Sequence, residues 1–255
     1  MRTSKRTAFR ALQGVRFAWA SSWSILAGRR SARRLLIVSD SRGLNLTRRT
    51  FLAYPELLAC RYRSVRKVHE SKWTTLADVH RFGHKMRFSE FDAVVVHVGI
   101  SDFSPRPRTS ARDQLYAAKQ ADYDSLFGKQ AMARHLSCDL GVPYEGESTQ
   151  NMFSLEMAEA SLLPWLRSIP NLVFVTGSPV LSDWTGDYWK PRPANIGMAN
   201  DYFRLLDRGL PGTISQMHWD RPAILRYTTD SIHLNAAGHR YLADQIRARC
   251  DTLFQ

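Results

Sequence analysis

Short runs of apolar β-formers, each breaking abruptly into small polar residues, constrain this chain more than any other feature. Leu35-Leu36-Ile37-Val38 runs into Ser39-Asp40-Ser41-Arg42-Gly43, and Phe91-Asp92-Ala93-Val94-Val95-Val96-His97-Val98 into Gly99-Ile100-Ser101-Asp102. Short runs that are apolar at consecutive positions read as strands buried on both faces. Further strand signals fall at roughly 58–65 (Leu58-Ala59-Cys60-Arg61-Tyr62) and at 172–175, with a weaker one at 223–227. Helical patterns lie near 43–54, 74–87, 112–135, 151–168, 196–208 and 235–250, the last opening on Asn235 as N-cap. Strands separated by helices predict a parallel sheet covered on both faces. In such sheets chemistry gathers where the strands end.

Ser41 stands at one of those ends. Near the C-terminus the chain reads Asp230-Ser231-Ile232-His233-Leu234-Asn235. Three residues apart, Asp230 can accept a hydrogen bond from the His233 imidazole, fix its tautomer and leave the other ring nitrogen free to take a serine proton. Each half is weak alone, because Asp-Ser pairs are common in turns and Asp-x-x-His occurs by chance. A turn serine and a structural histidine are the competing readings. Asp40 and Asp102 read as braces for their loops rather than as catalysts.

With the Gly99-x-x-Asp102 frame between them, these segments resemble the SGNH (GDSL-type) hydrolases, whose marks are Gly-Asp-Ser, Gly-x-Asn-Asp and Asp-x-x-His. The resemblance spans about residues 35 to 245. It implies a flavodoxin-like three-layer α/β/α sandwich around a five-stranded parallel sheet. It also implies Ser41 as nucleophile, His233 as base and Asp230 as its orienter. The chain would be a divergent member: Ser39 replaces the first motif's glycine, and Ser101 stands where the family carries an asparagine that donates to the oxyanion. The stretch matching the second motif, Val68-His69-Glu70-Ser71-Lys72-Trp73, has no glycine. The oxyanion donors expected are therefore the Ser41 backbone N–H, Ser101 and Ser71. One such donor is worth ~10²–10³ in rate. The expected activity is hydrolysis of an ester, an O-acyl group on a carbohydrate being the class considered. Acyl transfer to a sugar, or a non-catalytic carbohydrate-binding or assembly protein on the same fold, is the alternative.

Two regions read as insertions. Residues 103–150 should overhang the site as a lid or substrate wall, with Arg106 available to the substrate, and 177–195 bring Trp184, Tyr188 and Trp189. Trp189 and His69 are further candidates for substrate contact, against the plainer readings of loop packing and a solvated loop. No cofactor is expected, since no phosphate loop or dinucleotide fingerprint occurs. No metal is expected either: His80 and His84 have ligand-like spacing but no third ligand. Cys60, Cys138 and Cys250 are widely spaced and odd in number, which argues against a disulfide framework and for a reducing compartment.

The formal charge of +13 over 255 residues is lopsided, because residues 1–34 hold nine Arg and Lys and no acid. Leu12, Val15, Trp19, Trp23 and Leu26 give that segment one apolar stripe at helical spacing. Such an arm could pack on protein or lie on an anionic membrane. Nucleic acid is not an expected partner, because no base-reading motif accompanies the charge. No signal peptide or apolar run of membrane-spanning length is read, so a cytoplasmic location is the expectation, with attachment at the inner membrane face left open. Removing the arm should abolish flotation with anionic liposomes and the salt sensitivity of that flotation. Equal flotation of full-length and truncated protein would leave only docking on protein.

Overall fold

The computed structural model describes residues 31–46, 51–67, 73–188 and 190–255, with positions 15, 18, 19 and 22. Four strands make one parallel sheet: β1 (Ser31–Ser39), β2 (Tyr62–Lys67), β3 (Ala93–His97) and β4 (Leu172–Phe174), in the order β2-β1-β3-β4. This is the order of flavodoxin-like sheets, whose switch point lies between β1 and β3.

The expected fifth strand is a correction. Its place beside β4 is taken by a single parallel bridge between Val175 and Ile214, closed by Ile214 N–H donating to the Phe174 carbonyl at 2.8 Å. Pro211-Gly212 before Ile214 and Ser215-Gln216 after it leave one apolar residue to enter the sheet. The weak strand signal at 223–227 is helix Arg221–Tyr227, because Asp220 caps the Ala223 N–H and Pro222 sits in the first turn. The signal at 58–65 divides similarly. Pro55 starts helix Tyr54–Ala59, Cys60 ends it, and the strand begins only at Tyr62. Of the helix expected over 43–54, the described residues 44–46 and 51–53 are not helical; a 3-10 turn over Ser41–Gly43 stands at its start and helix Tyr54–Ala59 at its end. The helical pattern over 112–135, with stretches around Tyr116 and Met132, is a succession of Ser110–Tyr116, Ala117–Lys119, Gln120–Phe127 and, beyond Gly128 at φ 85°, Lys129–Ser137.

Alternation across the strands sorts the core into two layers. Leu36, Val38, Val94, Val96 and Phe174 face helices Leu76–Lys85, Gln120–Phe127 and Met198–Gly209. Leu35, Ile37, Val95 and Val173 face helices Tyr54–Ala59, Arg221–Tyr227 and Ala236–Leu253. Both faces of the sheet are dry, as consecutive apolar residues require. The 103–150 region adds three short antiparallel strands, Arg106–Pro107, Pro143–Tyr144 and Glu147–Gln150. Cys60, Cys138 and Cys250 are free thiols, and no described helix is long and apolar enough to cross a membrane.

β1 also begins earlier than its apolar run. Arg33 and the Arg34 N–H both bond Asp92, at 3.0 and 2.7 Å, and Arg33 donates to the Phe254 carbonyl. Four residues assigned to the basic arm therefore belong to the sheet, so an arm truncation should stop at Arg30. Val15 and Trp19 are exposed. Ile37 is fully buried in the central pair of strands. Ile37→Ala should lower unfolding free energy by roughly 2–5 kcal/mol, read by urea denaturation.

Candidate active site

The register of β1 against β3, which pairs Ser39 with His97, brings their two polar ends level. Asp40 N–H donates to the His97 carbonyl at 3.1 Å, and the chain then folds into the Ser41–Gly43 turn. Asp40 caps that turn by accepting the Arg42 N–H at 3.0 Å. The buried Arg42 guanidinium returns to the same carboxylate, with Nε at 2.9 Å and Nη2 at 2.8 Å. Ser41 is thus held between the two ends of a buried ion pair. Gly43 is required here, since a Cβ would lie 2.3 Å from Ser39 Oγ.

The second half of the site is a loop ahead of helix Ala236–Leu253. Asn235 caps the helix by accepting the Ala237 and Gly238 N–H groups. Thr229 N–H donates to the His233 carbonyl at 2.8 Å. Asp230 uses both carboxylate oxygens: Oδ1 accepts the Ile232 and His233 N–H groups at 3.0 and 2.7 Å, and Oδ2 accepts His233 Nδ1–H at 2.7 Å. With Nδ1 donating, Nε2 is left as an acceptor, and it lies 3.0 Å from Ser41 Oγ. Burial pushes the Asp230 carboxyl up. The hydrogen bond and charge of His233 and the two backbone donors outweigh it, leaving Asp230 below the usual carboxylate range.

Sequence reasoning missed Arg192. Its guanidinium donates to the Asp230 carbonyl oxygen and, at 3.2 Å, to Ser231 Oγ, and it lies over the Tyr188 ring. It thereby clamps the left-handed turn at Ser231, φ 61°. Only its place in the aromatic-rich 177–195 segment hinted at a role.

Around the space before Ser41 the predicted residues have different fates. Ser101 is the second residue of the short helix Ile100–Phe103 and lines the cleft with Ser41 and His233. Gly99 ahead of it is at φ 128°, and a Cβ there would meet the Phe103 ring at 2.5 Å. Asp102 braces this turn, accepting Leu76 N–H at 3.0 Å and Tyr123 O–H at 2.7 Å. Burial raises its carboxyl to about 7, against the lowering pull of those two hydrogen bonds, Lys119 and Arg106. Ser71, His69 and Trp189 lie outside the described residues. Trp73, the last residue of the glycine-free stretch, lines the cleft and adopts φ 62°, the left-handed conformation that glycine would supply most easily. Lys119 Nζ donates to its carbonyl at 2.6 Å.

The cleft encloses about 290 Å³. Its walls come from both inserted regions, through Pro105, Arg106 and Tyr144 on one side and Tyr188, Lys190 and Arg192 on the other. Trp184 instead packs against the core. His80 and His84 place their Nε2 atoms 3.4 Å apart, and among the described residues no three His, Cys, Asp or Glu side chains gather to hold a metal.

No protein-family model and no curated protein matches the chain. Among solved structures it is similar to a gut microbial diltiazem-metabolizing enzyme (10% identity, TM-score 0.44), covering 87% of this chain and 47% of that one. It is similar to a provisionally assigned platelet activating factor from Streptococcus pneumonia (12%, TM-score 0.43, 97% of each chain). A third is a provisionally assigned GDSL-like lipase from Parabacteroides merdae (13%, TM-score 0.43), covering 87% of this chain and 97% of that one. The chain spans about half the length of the first. The chain has a three-layer α/β/α fold with a parallel sheet of flavodoxin-like strand order. Its own strand order and helix layers carry that statement.

The Asp40–Arg42 pair gives this region a distinct energetic signature. Arg42→Met would leave Asp40 buried without its guanidinium, and should cost roughly 3–5 kcal/mol in urea unfolding. Replacing both residues with apolar side chains of similar volume should cost less than that single change. A double-variant loss equal to the sum of the Asp40 and Arg42 single losses would show that the pair is not coupled.

Proposed function

We propose that the chain is a serine hydrolase that cleaves an ester, with an O-acyl group on a carbohydrate as its substrate class. The observation that carries this reading is the relay from Ser41 Oγ to His233 Nε2 at 3.0 Å and from His233 Nδ1 to Asp230 at 2.7 Å, at the wall of an open cleft. In this mechanism Ser41 Oγ attacks the ester carbonyl as His233 Nε2 takes its proton. Asp230, a carboxylate at neutral pH, stabilises the resulting imidazolium and keeps the tautomer. The imidazolium then protonates the departing alcohol, leaving an acyl-serine. Water, deprotonated by His233, releases the acid and restores Ser41.

The oxyanion is assigned to the Ser41 N–H and to Ser101. Ser41 begins a 3-10 turn, where a first N–H has no acceptor within its own turn. Ser101 offers a hydroxyl of shorter reach than an amide. That difference favours one second reading, a binding or assembly protein that keeps the fold without turnover. Transfer of the acyl group to a sugar uses the same serine with water excluded. For the segment ahead of β1 we propose contact with an anionic membrane surface, supported by its charge and its apolar stripe.

A model acetyl ester separates these readings. Turnover should fall by at least about a thousandfold in Ser41→Ala. Ser101→Asn should raise it roughly tenfold, less than the full value of one donor because placement will be imperfect. The gain must vanish when Ser41→Ala is added. Absence of Ser41-dependent turnover from both the native protein and Ser101→Asn, across several acyl esters, would favour the binding protein.

A further inference from the structure

This inference rests on the hydrolase reading and names the kind of ester it serves. Arg106 enters the cleft from the 103–150 region. Its Nη2 donates to the Ser101 carbonyl, and its guanidinium lies 5.1 Å from the centre of the Trp73 ring. Its Nε is buried without a hydrogen-bond partner. Among the described residues, no carboxylate forms an ion pair with it. Asp102 is close enough to attract it, but the two Asp102 oxygens are occupied by Leu76 and Tyr123.

The other two Lys and Arg side chains that line the cleft among the described residues are already engaged. Lys190 bonds Glu145 at 2.6 Å, and Arg192 holds the Asp230–Ser231 turn. Among the described residues, Glu145 is the one carboxylate on the cleft wall, against the cations Arg106, Lys190 and Arg192. A partly buried guanidinium whose one nearby carboxylate, Asp102, forms no ion pair with it and is hydrogen-bonded elsewhere is incompletely compensated for the cost of its desolvation. An anion bound in the cleft offsets that cost, and a neutral ligand does not. The planar fork of arginine suits a carboxylate or a phosphate, and Arg106 lines the same small cleft as Ser41. We propose that the ester cleaved at Ser41 carries an anionic group, a carboxylate or a phosphate, which Arg106 receives while Trp73 walls the adjoining part of the substrate.

The test uses the full chain and matched acetyl esters of a neutral hexoside, a hexuronate and a hexose phosphate. At least one charged ester should exceed the neutral one in kcat/KM by about tenfold or more, the range of a charge-assisted hydrogen bond. The leading ester distinguishes carboxylate from phosphate. The charged-to-neutral ratio should fall severalfold between about 0.05 and 0.5 M salt. It should approach one in Arg106→Gln and fall partway in Arg106→Lys. A ratio near one in the unmodified protein, with Ser41-dependent turnover intact, overturns the proposal and leaves the hydrolase reading standing.

Calorimetry with the deacetylated sugars on Ser41→Ala protein separates the two failures. If no ester is turned over, yet the charged sugar binds about tenfold tighter than the neutral one and Arg106→Gln removes that margin, the anion site stands and the hydrolase reading falls. If no margin exists there either, the proposal falls too.

Discussion

The pairing of β1 with β3 is the constraint on which the rest of the site depends. Because Ser39 lies opposite His97, two strands of different origin release their chains at the same height. One release forms the turn carrying Ser41, the other the Gly99–Asp102 turn. A shift of one residue would reverse which side chains face each helix layer, burying neither Leu36 and Val38 nor Leu35 and Ile37 against their present partners. The dry sheet therefore fixes the register, and the register fixes the position of the candidate nucleophile.

Beneath that meeting point the interior is unusually polar. Asp40, Arg42, His97 and His239 are buried around Ser41 and its strand, and Tyr54 places its hydroxyl 3.3 Å from His97 Nδ1. Burial, with Arg42 and His239 as further causes, holds His97 well below the usual imidazole range. His97 is thus neutral, and no second charge competes with the Asp40–Arg42 pair. On the far side of the cleft, Lys119 bonds Asp78 and the Trp73 carbonyl together. Buried ion pairs of this kind contribute little net stability beside apolar packing. What they do here is fix two backbone turns, one before Ser41 and one at Trp73, that apolar packing alone could not orient.

How much of this could be read from the sequence follows from the range of each interaction. β1 and β3 were legible because burial on both faces writes itself as consecutive apolar residues. Asp230 and His233 were legible because their contact is local, and Ser41 because it follows a strand end. The segment 223–227 misled, since Ile224, Leu225 and Tyr227 satisfy strand propensity while the deciding signal, Asp220 with Pro222, lies just outside the run. Arg33 and Arg34 hid the start of β1 because their charges are answered by Asp92, nearly sixty residues away. Arg192 was invisible for the same reason: its partners, Asp230 and Ser231, come to it only through the fold. The left-handed turn at Trp73 had no sequence signal, since tryptophan does not favour that conformation.

The two halves of the site respond oppositely to protons. Asp230 has a lowered carboxyl, so its contribution to stability is present above the ordinary carboxylate range and disappears as pH falls through its folded value. Asp102 is raised to about 7, so the folded chain holds its proton more tightly than the unfolded one. Stability from that group therefore declines as pH rises from the ordinary carboxylate value towards 7, and is level above it. Protonated Asp102 still accepts from Tyr123 and Leu76, so the brace survives in either state while its charge does not. The triad half is thus strongest where Asp230 is ionised, and the Ser101 half carries a buried carboxylate whose charge is the costly form. At neutral pH the first requirement is fully met while nearly all of the second's cost has been incurred, so mild acidification towards the ordinary carboxylate range regains the Asp102 contribution before the Asp230 contribution is lost.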